Sequence, residues 1–252
     1  MRIAVVSDIH GNLPALQAVV RDFQRRGVDA VFNLGDSLSG PLLPLQTAQF
    51  LMAQGWLHLA GNHERQVLTQ VPGQWSAADA YAHAQLGERE FAWMASLVPS
   101  LAYDEQIFLC HATPASDLEY FLETVEPEGV RIASSQEVQL RLAGVAAGLV
   151  LCGHTHRPRV LRSAAGQLLV NPGSVGLPAF DDERPYPHLI ENGSPDARYA
   201  IVERIDGAWL ASLIAVPYGH EAMVRLALRN GQPDWAHALR TGTMPGPVAT
   251  AR

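Results

Sequence analysis

The sequence predicts an α/β protein, and three features predict it. From Arg2 to Ala60, short apolar runs alternate with helical spacing, giving β-α-β-α-β, the pattern of an α/β sheet. The later half returns to short apolar strands and two hairpin patterns. Hydrophobic residues make up 48% and charged residues 17% of the 252-residue chain, the balance of a globular protein with a sizeable core.

Ile3 to Val6 is a continuous apolar run, as expected of a strand buried on both faces. Leu13 to Arg26 has helical spacing, with Leu13, Leu16, Val19, Val20 and Phe23 on one face. Asn12 is placed to cap this helix, and Pro14 falls in its first turn, where proline is tolerated. Ala30 to Leu34 reads as a strand, Leu45 to Gln54 as a helix and Trp56 to Ala60 as a third strand. Residues 76–97 carry helical patterns without the spacing of a ligand cluster, which predicts a helical insert or cap. Ile107 to Cys110 is a strand, the acid-rich stretch 115–129 reads as a surface excursion, and Gln136 to Leu142 as a helix capped by Ser134 or Ser135. Leu149 to Cys152 is a strand. Hairpins are expected over 159–170, turning at Ala165-Gly166, and over 199–216, turning at Asp206-Gly207. Helical patterns at 220–230 and 233–240 close a single domain over 1–242, and residues 243–252, rich in Gly, Pro, Thr and Ala, read as a loosely held tail.

Charge and composition exclude several function classes. The formal net charge is −7 and the 18 Lys and Arg are scattered, which argues against stable nucleic-acid binding through phosphate contacts. No apolar run reaches the roughly 20 residues of a membrane span, and Met1 leads straight into the first strand, so the cytoplasm is the expected location. The two cysteines, Cys110 and Cys152, end apolar runs and read as small buried residues, with a disulfide open only if their strands are neighbours.

Chemistry is concentrated at the strand ends. Asp8 and His10 follow the first strand, Asp36 the second, and Asn62 the third; His111 follows Ile107 to Cys110, and His154 and His156 follow Leu149 to Cys152. Two Asp, one Asn and four His form an oxygen and nitrogen ligand set suited to paired divalent metals of the Mn, Fe, Co or Zn type. Such pairs, about 3.5–4 Å apart, hydrolyse phosphate esters. The pairs Asp8/His10 and His154/His156 are two residues apart, a spacing that points side chains the same way on extended backbone but about 200° apart on a helix. Each cluster adjoins a glycine or other turn chemistry that allows close backbone approach. Each piece alone is weak: a solvated His pair, a buried histidine, a turn aspartate and a helix-capping asparagine are all common. Their ordered combination is not.

The order Asp8-x-His10, Gly35-Asp36, Gly61-Asn62-His63-Glu64, His111 and Gly153-His154-Thr155-His156 resembles the calcineurin-like metallophosphoesterase superfamily. The likeness continues in Asn171-Pro172-Gly173-Ser174-Val175-Gly176, similar to the loop of small bacterial and archaeal members. It implies a four-layer α/β/β/α sandwich of two mixed sheets flanked by helices. It also implies that Asp8, His10, Asp36 and His156 hold one metal, and that Asp36, Asn62, His111 and His154 hold the other, with Asp36 bridging. Manganese is the favoured ion. The implied nucleophile is a hydroxide between the metals, attacking phosphomonoesters or small phosphodiesters, nucleotides among them. His63 is implied as proton donor to the leaving oxygen, a role open to an imidazole near neutral pH.

The chain departs from protein Ser/Thr phosphatases at Ser39 and Gly40, where those relatives carry an Asp that orients the catalytic His and an Arg that holds phosphate. Another group must then orient His63, and a protein phosphatase is disfavoured. Ala112 stands where a glycine is usual. Substrate contacts are expected from Arg184 and His188, and more weakly from Tyr218 and His220. Two other readings compete. A noncatalytic binding module of this fold would lack several ligands, and a metallo-β-lactamase-type hydrolase needs His-x-His-x-Asp-His, whereas the only His-x-His here is followed by Arg157-Pro158. The sequence leaves the oligomeric state open.

Overall fold

A computed structural model describes residues 1–246. Two five-stranded mixed sheets pack face to face. The first contains β1 (Arg2–Val6), β2 (Ala30–Asn33), β3 (Leu57–His58), β13 (Ala197–Ile205) and β14 (Ala208–Val216), in the order β14-β13-β1-β2-β3. The second contains β4 (Ser100–Ala102), β5 (Ile107–Cys110), β8 (Leu149–Leu151), β9 (Arg159–Arg162) and β10 (Leu168–Asn171), in the order β4-β5-β8-β10-β9. Ile3, Val5, Phe32 and Leu59 of one inner face meet Leu109, Leu149, Leu151 and Val170 of the other in a fully buried seam.

Helices cover both outer faces. Leu16, Val19 and Phe23 of α1 (Leu13–Arg26) and Met94 of α5 (Glu88–Ala95) pack on Ala4, Val6 and Tyr199. Val138 of α6 (Ser135–Arg141), with Leu142 just beyond it, packs beside Phe121 and Leu122 on Val150 and Leu169. The inner strands β1, β2, β5, β8 and β10 are buried on both faces, which is why they read as unbroken apolar runs. The layers are therefore α/β/β/α, as the resemblance implied.

Asn12 caps α1 through Oδ1, which accepts the Ala15 N–H. The 206–207 turn forms with both residues at positive φ, the geometry a two-residue hairpin requires. Residues 76–97 are helical, as α4 (Ala77–Gln85) and α5. Helices α7 (Glu221–Arg229) and α8 (Pro233–Thr241) follow the second hairpin. Cys110, the last residue of β5, and Cys152, just past the neighbouring β8, are buried, free thiols. Of the stretch expected to be a loose tail, residues 247–252 lie outside the described residues; the Met244 N–H donates to Glu191.

Two expectations need correction. Residues 115–129 are not a surface excursion: Phe121 and Leu122 enter the core, and Glu123 is buried on an ion pair with Arg159 of β9 at 2.6 Å. A hairpin of β6 (Glu123–Glu126) and β7 (Gly129–Ile132) forms there. The turn-rich loop after β10 leads to a further small hairpin, β11 (Ala179–Asp182) with β12 (His188–Glu191), which the sequence reading did not contain.

Candidate metal centre

Strands β1, β2 and β3 run parallel to one another, and so do β5, β8 and β10, so their carboxyl ends open on the same region. The seven ligand-type residues occupy the loops that leave those ends, apart from Asn62, which is the first residue of α3 (Asn62–Thr69). Backbone hydrogen bonds fasten loop to loop. Asp8 N–H donates to Gly35 O, His10 N–H to Asp36 O, and Gly153 N–H to His111 O. The Asn171–Gly176 loop braces them from behind, through Gly176 N–H to Asp8 O and Ser174 Oγ to the same carbonyl. Gly61 and Gly153 are required by closeness: a Cβ on Gly61 would overlap the Asp36 carboxylate, and one on Gly153 would overlap Ser7.

The backbone there is not extended. Asp8, His10, Asp36, His154 and His156 all have φ between 51° and 66°, the left-handed region. The expectation that the two-residue spacing aims each pair by extended geometry is therefore corrected. The loops impose a less favoured conformation, with a cost of order 1–3 kcal/mol per residue. Glu64, buried at 1% exposure, offsets part of it by accepting the backbone N–H groups of Asp36, Ser37 and Gly61 at 2.8, 2.7 and 2.7 Å.

Two groups of ligand atoms result, each with its members within 4.8 Å of one another: Asp8, His10 and His156, and Asp36, His111 and His154. Hydrogen bonds fix the imidazole tautomers. His10 Nδ1–H donates to Ser39 O at 2.8 Å, His156 Nδ1–H to Leu177 O at 2.7 Å, and His111 Nδ1–H to Leu34 O at 2.9 Å. Each therefore turns Nε2 inward. His154 is reversed: Nε2–H donates to Leu118 O at 3.0 Å, leaving Nδ1 as its lone-pair nitrogen.

The inward atoms crowd one another. His10 Nε2 and His156 Nε2 lie 3.1 Å apart, and His111 Nε2 lies 3.1 Å from both Asn62 Oδ1 and Asp36 Oδ2. Asp8 Oδ1 is buried without a hydrogen-bond partner. A cation held between two such facing ring nitrogens would take a lone pair from each. The donor set thus fits divalent metals.

Electrostatics agree. Burial, then the neighbouring His156, pushes His10 down to about 3; burial, then His111, pushes His154 down to about 4. Both stay neutral, as a ligand must. Asp36 is held well below its ordinary value despite burial, chiefly by the charge of His111 and then of His63, and Asp8 is lowered mainly by His156. His111 is raised to about 10: burial opposes this, but Asp36 outweighs it through its charge and its hydrogen bond. Asp36 would hold a metal ion in place of the protonated His111 as its partner.

Residues 1–190 match the model of the calcineurin-like phosphoesterase superfamily domain. The chain belongs to this superfamily. Among solved structures, a metallophosphoesterase from Sphaerobacter thermophilus is 23% identical, with 95% of this chain and 98% of that one covered and a TM-score of 0.73. A hypothetical protein from Pyrococcus horikoshii OT3 is 16% identical, with 97% and 99% covered and a TM-score of 0.72. These two likenesses establish the fold. An uncharacterised protein of Methanocaldococcus jannaschii is 25% identical over 249 residues, covering 92% of this chain and 94% of that one. Superfamily members use divalent metals, and this phosphoesterase-fold chain has two ligand groups ready for them.

The centre lies at the base of a cavity of about 1220 Å³. His63 lines it, as does Arg184 at the rim. His188 does not. It is buried behind Tyr120, with Nδ1–H donating to Tyr186 O and Nε2 accepting from the Tyr120 hydroxyl, so it supports the wall rather than forming it. Tyr218 and His220 also lie off the cavity wall; the Tyr218 hydroxyl accepts from Asn12. The sequence reading missed three aromatic faces beside the ligands. Tyr120 stands 5.3 Å from His154, Phe180 4.7 Å from His156, and Trp235 5.8 Å from His10, ring centre to ring centre. It also missed Glu64 and Asp79. For Asp79 a signal existed: Ser76-Ala77-Ala78-Asp79 is a capping pattern that puts the acid in a helix's first turn. No helix among the described residues is long and apolar enough to cross a membrane.

Proposed function

We propose that the chain is a dinuclear metal-dependent phosphoesterase that hydrolyses phosphomonoesters or small phosphodiesters, nucleotides among them. The observation that carries this reading is the pair of adjacent ligand groups with lone pairs turned inward, above all the 3.1 Å contact between His10 Nε2 and His156 Nε2. Asp8, His10, Asp36 and His156 would hold one ion; Asp36, Asn62, His111 and His154 would hold the other. Asp36 is suited to both, since its charge acts on Asp8 and His10 as well as on His111. The Asn62 amide is oriented by donating Nδ2–H to Gln66, which turns its oxygen toward His111. Ions of the Mn, Fe, Co or Zn type fit, manganese foremost. Bound there, they supply positive charge for the phosphoryl oxygens and acidify a water for attack.

His63 faces the cavity beside His10, their ring centres 5.4 Å apart, and delivers a proton to the leaving oxygen. Burial pulls its pKa down, but the charge of Asp36 and the bond and charge of Asp79 raise it to about 9. Cations held at Asp36 would oppose the field that raises it. His63→Ala should keep its metal content and slow alkyl leaving groups by ~10²–10⁴-fold, while activated aryl esters lose little. Equal slowing of both ester types would argue against proton delivery.

The cavity wall favours a substrate with a single phosphate. Away from the ligands it carries Glu119, Asp181, Asp182 and Glu183 against Arg141 and Arg184. Arg141 is already engaged by the carbonyls of Phe121 and Glu123. Further phosphates would meet carboxylates, whereas a nucleobase or other flat group finds Tyr120, Phe180 and Trp235. A small phosphate ester in the cytoplasm is thus the proposed partner, with no stable nucleic-acid or membrane contact. Metal analysis followed by a screen of monoesters against diesters tests the proposal. Chelation should stop turnover and added manganese restore it; turnover untouched by thorough metal removal would overturn the reading.

A further inference from the structure

We propose that Asp79, brought to the centre by the helical insert, is the positioning residue that orients His63 for proton delivery. This rests on the phosphoesterase reading given above. His63 Nδ1 lies 2.8 Å from Asp79 Oδ1, and among the described residues its ring has no other hydrogen-bond partner. The His63 side chain is 25% exposed and that of Asp79 only 2%. One end of the pair therefore opens on the cavity and the other is sealed.

Asp79 is itself held in place. Its Oδ2 accepts from Ser76 Oγ at 2.7 Å, and its own N–H donates to the same hydroxyl at 3.0 Å. Ser76 is the N-cap of α4, so the carboxylate sits in the first helical turn, where the helix dipole favours negative charge. Asp79 stays ionised despite burial, through its bond to His63 first and then that residue's charge. The loop carrying Asp36 offers no substitute. Ser39, three residues past Asp36, is buried, and its hydroxyl favours the ionised form of Asp79 rather than bonding to His63.

A carboxylate on Nδ1–H fixes the ring plane and tautomer, and so leaves Nε2 as the nitrogen that meets substrate. As the oxygen of a deprotonated water bonds to phosphorus, the P–O ester bond breaks and its electron pair stays on the leaving oxygen. The Nε2 proton passes to that oxygen, and His63 is left neutral with Nδ1–H still on Asp79. Solvent returns the proton. The insert is thus part of the proton-delivery apparatus as well as a wall of the cavity.

The test is a double-mutant cycle of Asp79→Asn and His63→Ala, assayed on aryl and alkyl phosphate esters of graded leaving-group basicity. Asp79→Asn should lower kcat on alkyl esters by ~10–100-fold, with KM, metal content and aryl-ester rates near those of the parent. In the His63→Ala background it should cost nothing more. Equal slowing of all esters, or losses that add in the double variant, would overturn the assignment. A readout independent of turnover is the His63 Nδ1 proton, observed by nuclear magnetic resonance in the parent chain loaded with zinc. A downfield, exchange-protected resonance is expected, and its absence would refute the pairing. A parent chain that hydrolyses no phosphate ester yet shows this proton would instead remove the proposed function and leave the pairing standing.

Discussion

Asp36→Asn should reduce turnover by more than the ~10–100-fold that loss of a supporting partner costs, and should purify with neither ion at full occupancy. The substitution keeps the shape of the side chain and removes its charge. Asp36 Oδ1 accepts the His63 N–H at 2.9 Å and Oδ2 faces His111 Nε2 at 3.1 Å. An amide can keep the first contact through its oxygen, but it presents N–H groups where the other oxygen was, toward cations it cannot bind. The fields change as well. Asp36 is the strongest influence raising His63 and His111, so both imidazoles should become easier to deprotonate in the variant. Elemental analysis and turnover on one preparation check the result, with thermal unfolding as the control for folding. A folded Asp36→Asn protein carrying two equivalents of metal at undiminished turnover would dispose of the bridging assignment.

Which parts of the centre could be read from sequence follows from how each residue is placed. His111 and His154 follow strands buried on both faces, and unbroken apolar runs such as Ile107 to Cys110 announce themselves. The 206–207 turn was legible because its chemistry is local. The left-handed φ of Asp8, His10, Asp36, His154 and His156 was not, because non-glycine residues adopt it only under constraint from other loops. The loops bring these residues together, but not by the extended geometry that their two-residue spacing suggests. Glu123 was misread as surface because its partner, Arg159, is 36 residues away on β9. Asp79 was missed for a similar reason. Its capping pattern is visible in sequence, but its contact with His63 depends on α4 packing beside α3, and no local spacing encodes that.

Glu64→Ala should be the most destabilising single change at the centre. Three buried backbone N–H groups, of Asp36, Ser37 and Gly61, have the Glu64 carboxylate as acceptor. Each buried donor left without a partner costs ~1–3 kcal/mol, so a loss on the order of 3–5 kcal/mol is expected once water enters and the loops relax. At roughly 2–4 °C per kcal/mol for a chain of this size, Tm should fall by ~6–20 °C. Metal affinity should fall with it, since the same three bonds hold Asp36 in its left-handed conformation before any ion binds. Glu64→Gln should fall between the parent and Glu64→Ala. Its oxygen can keep part of the network, but its amide N–H groups would face backbone donors. Burial and the nearby Asp36 charge work against the Glu64 carboxylate, yet the three N–H bonds favour its ionised form, which is the form that can accept all of them. Calorimetry of the three proteins, with and without manganese, separates the two effects. If Glu64→Ala melted within about a degree of the parent and bound metal equally well, the clamp would be incidental, and the loop strain would have to be offset elsewhere.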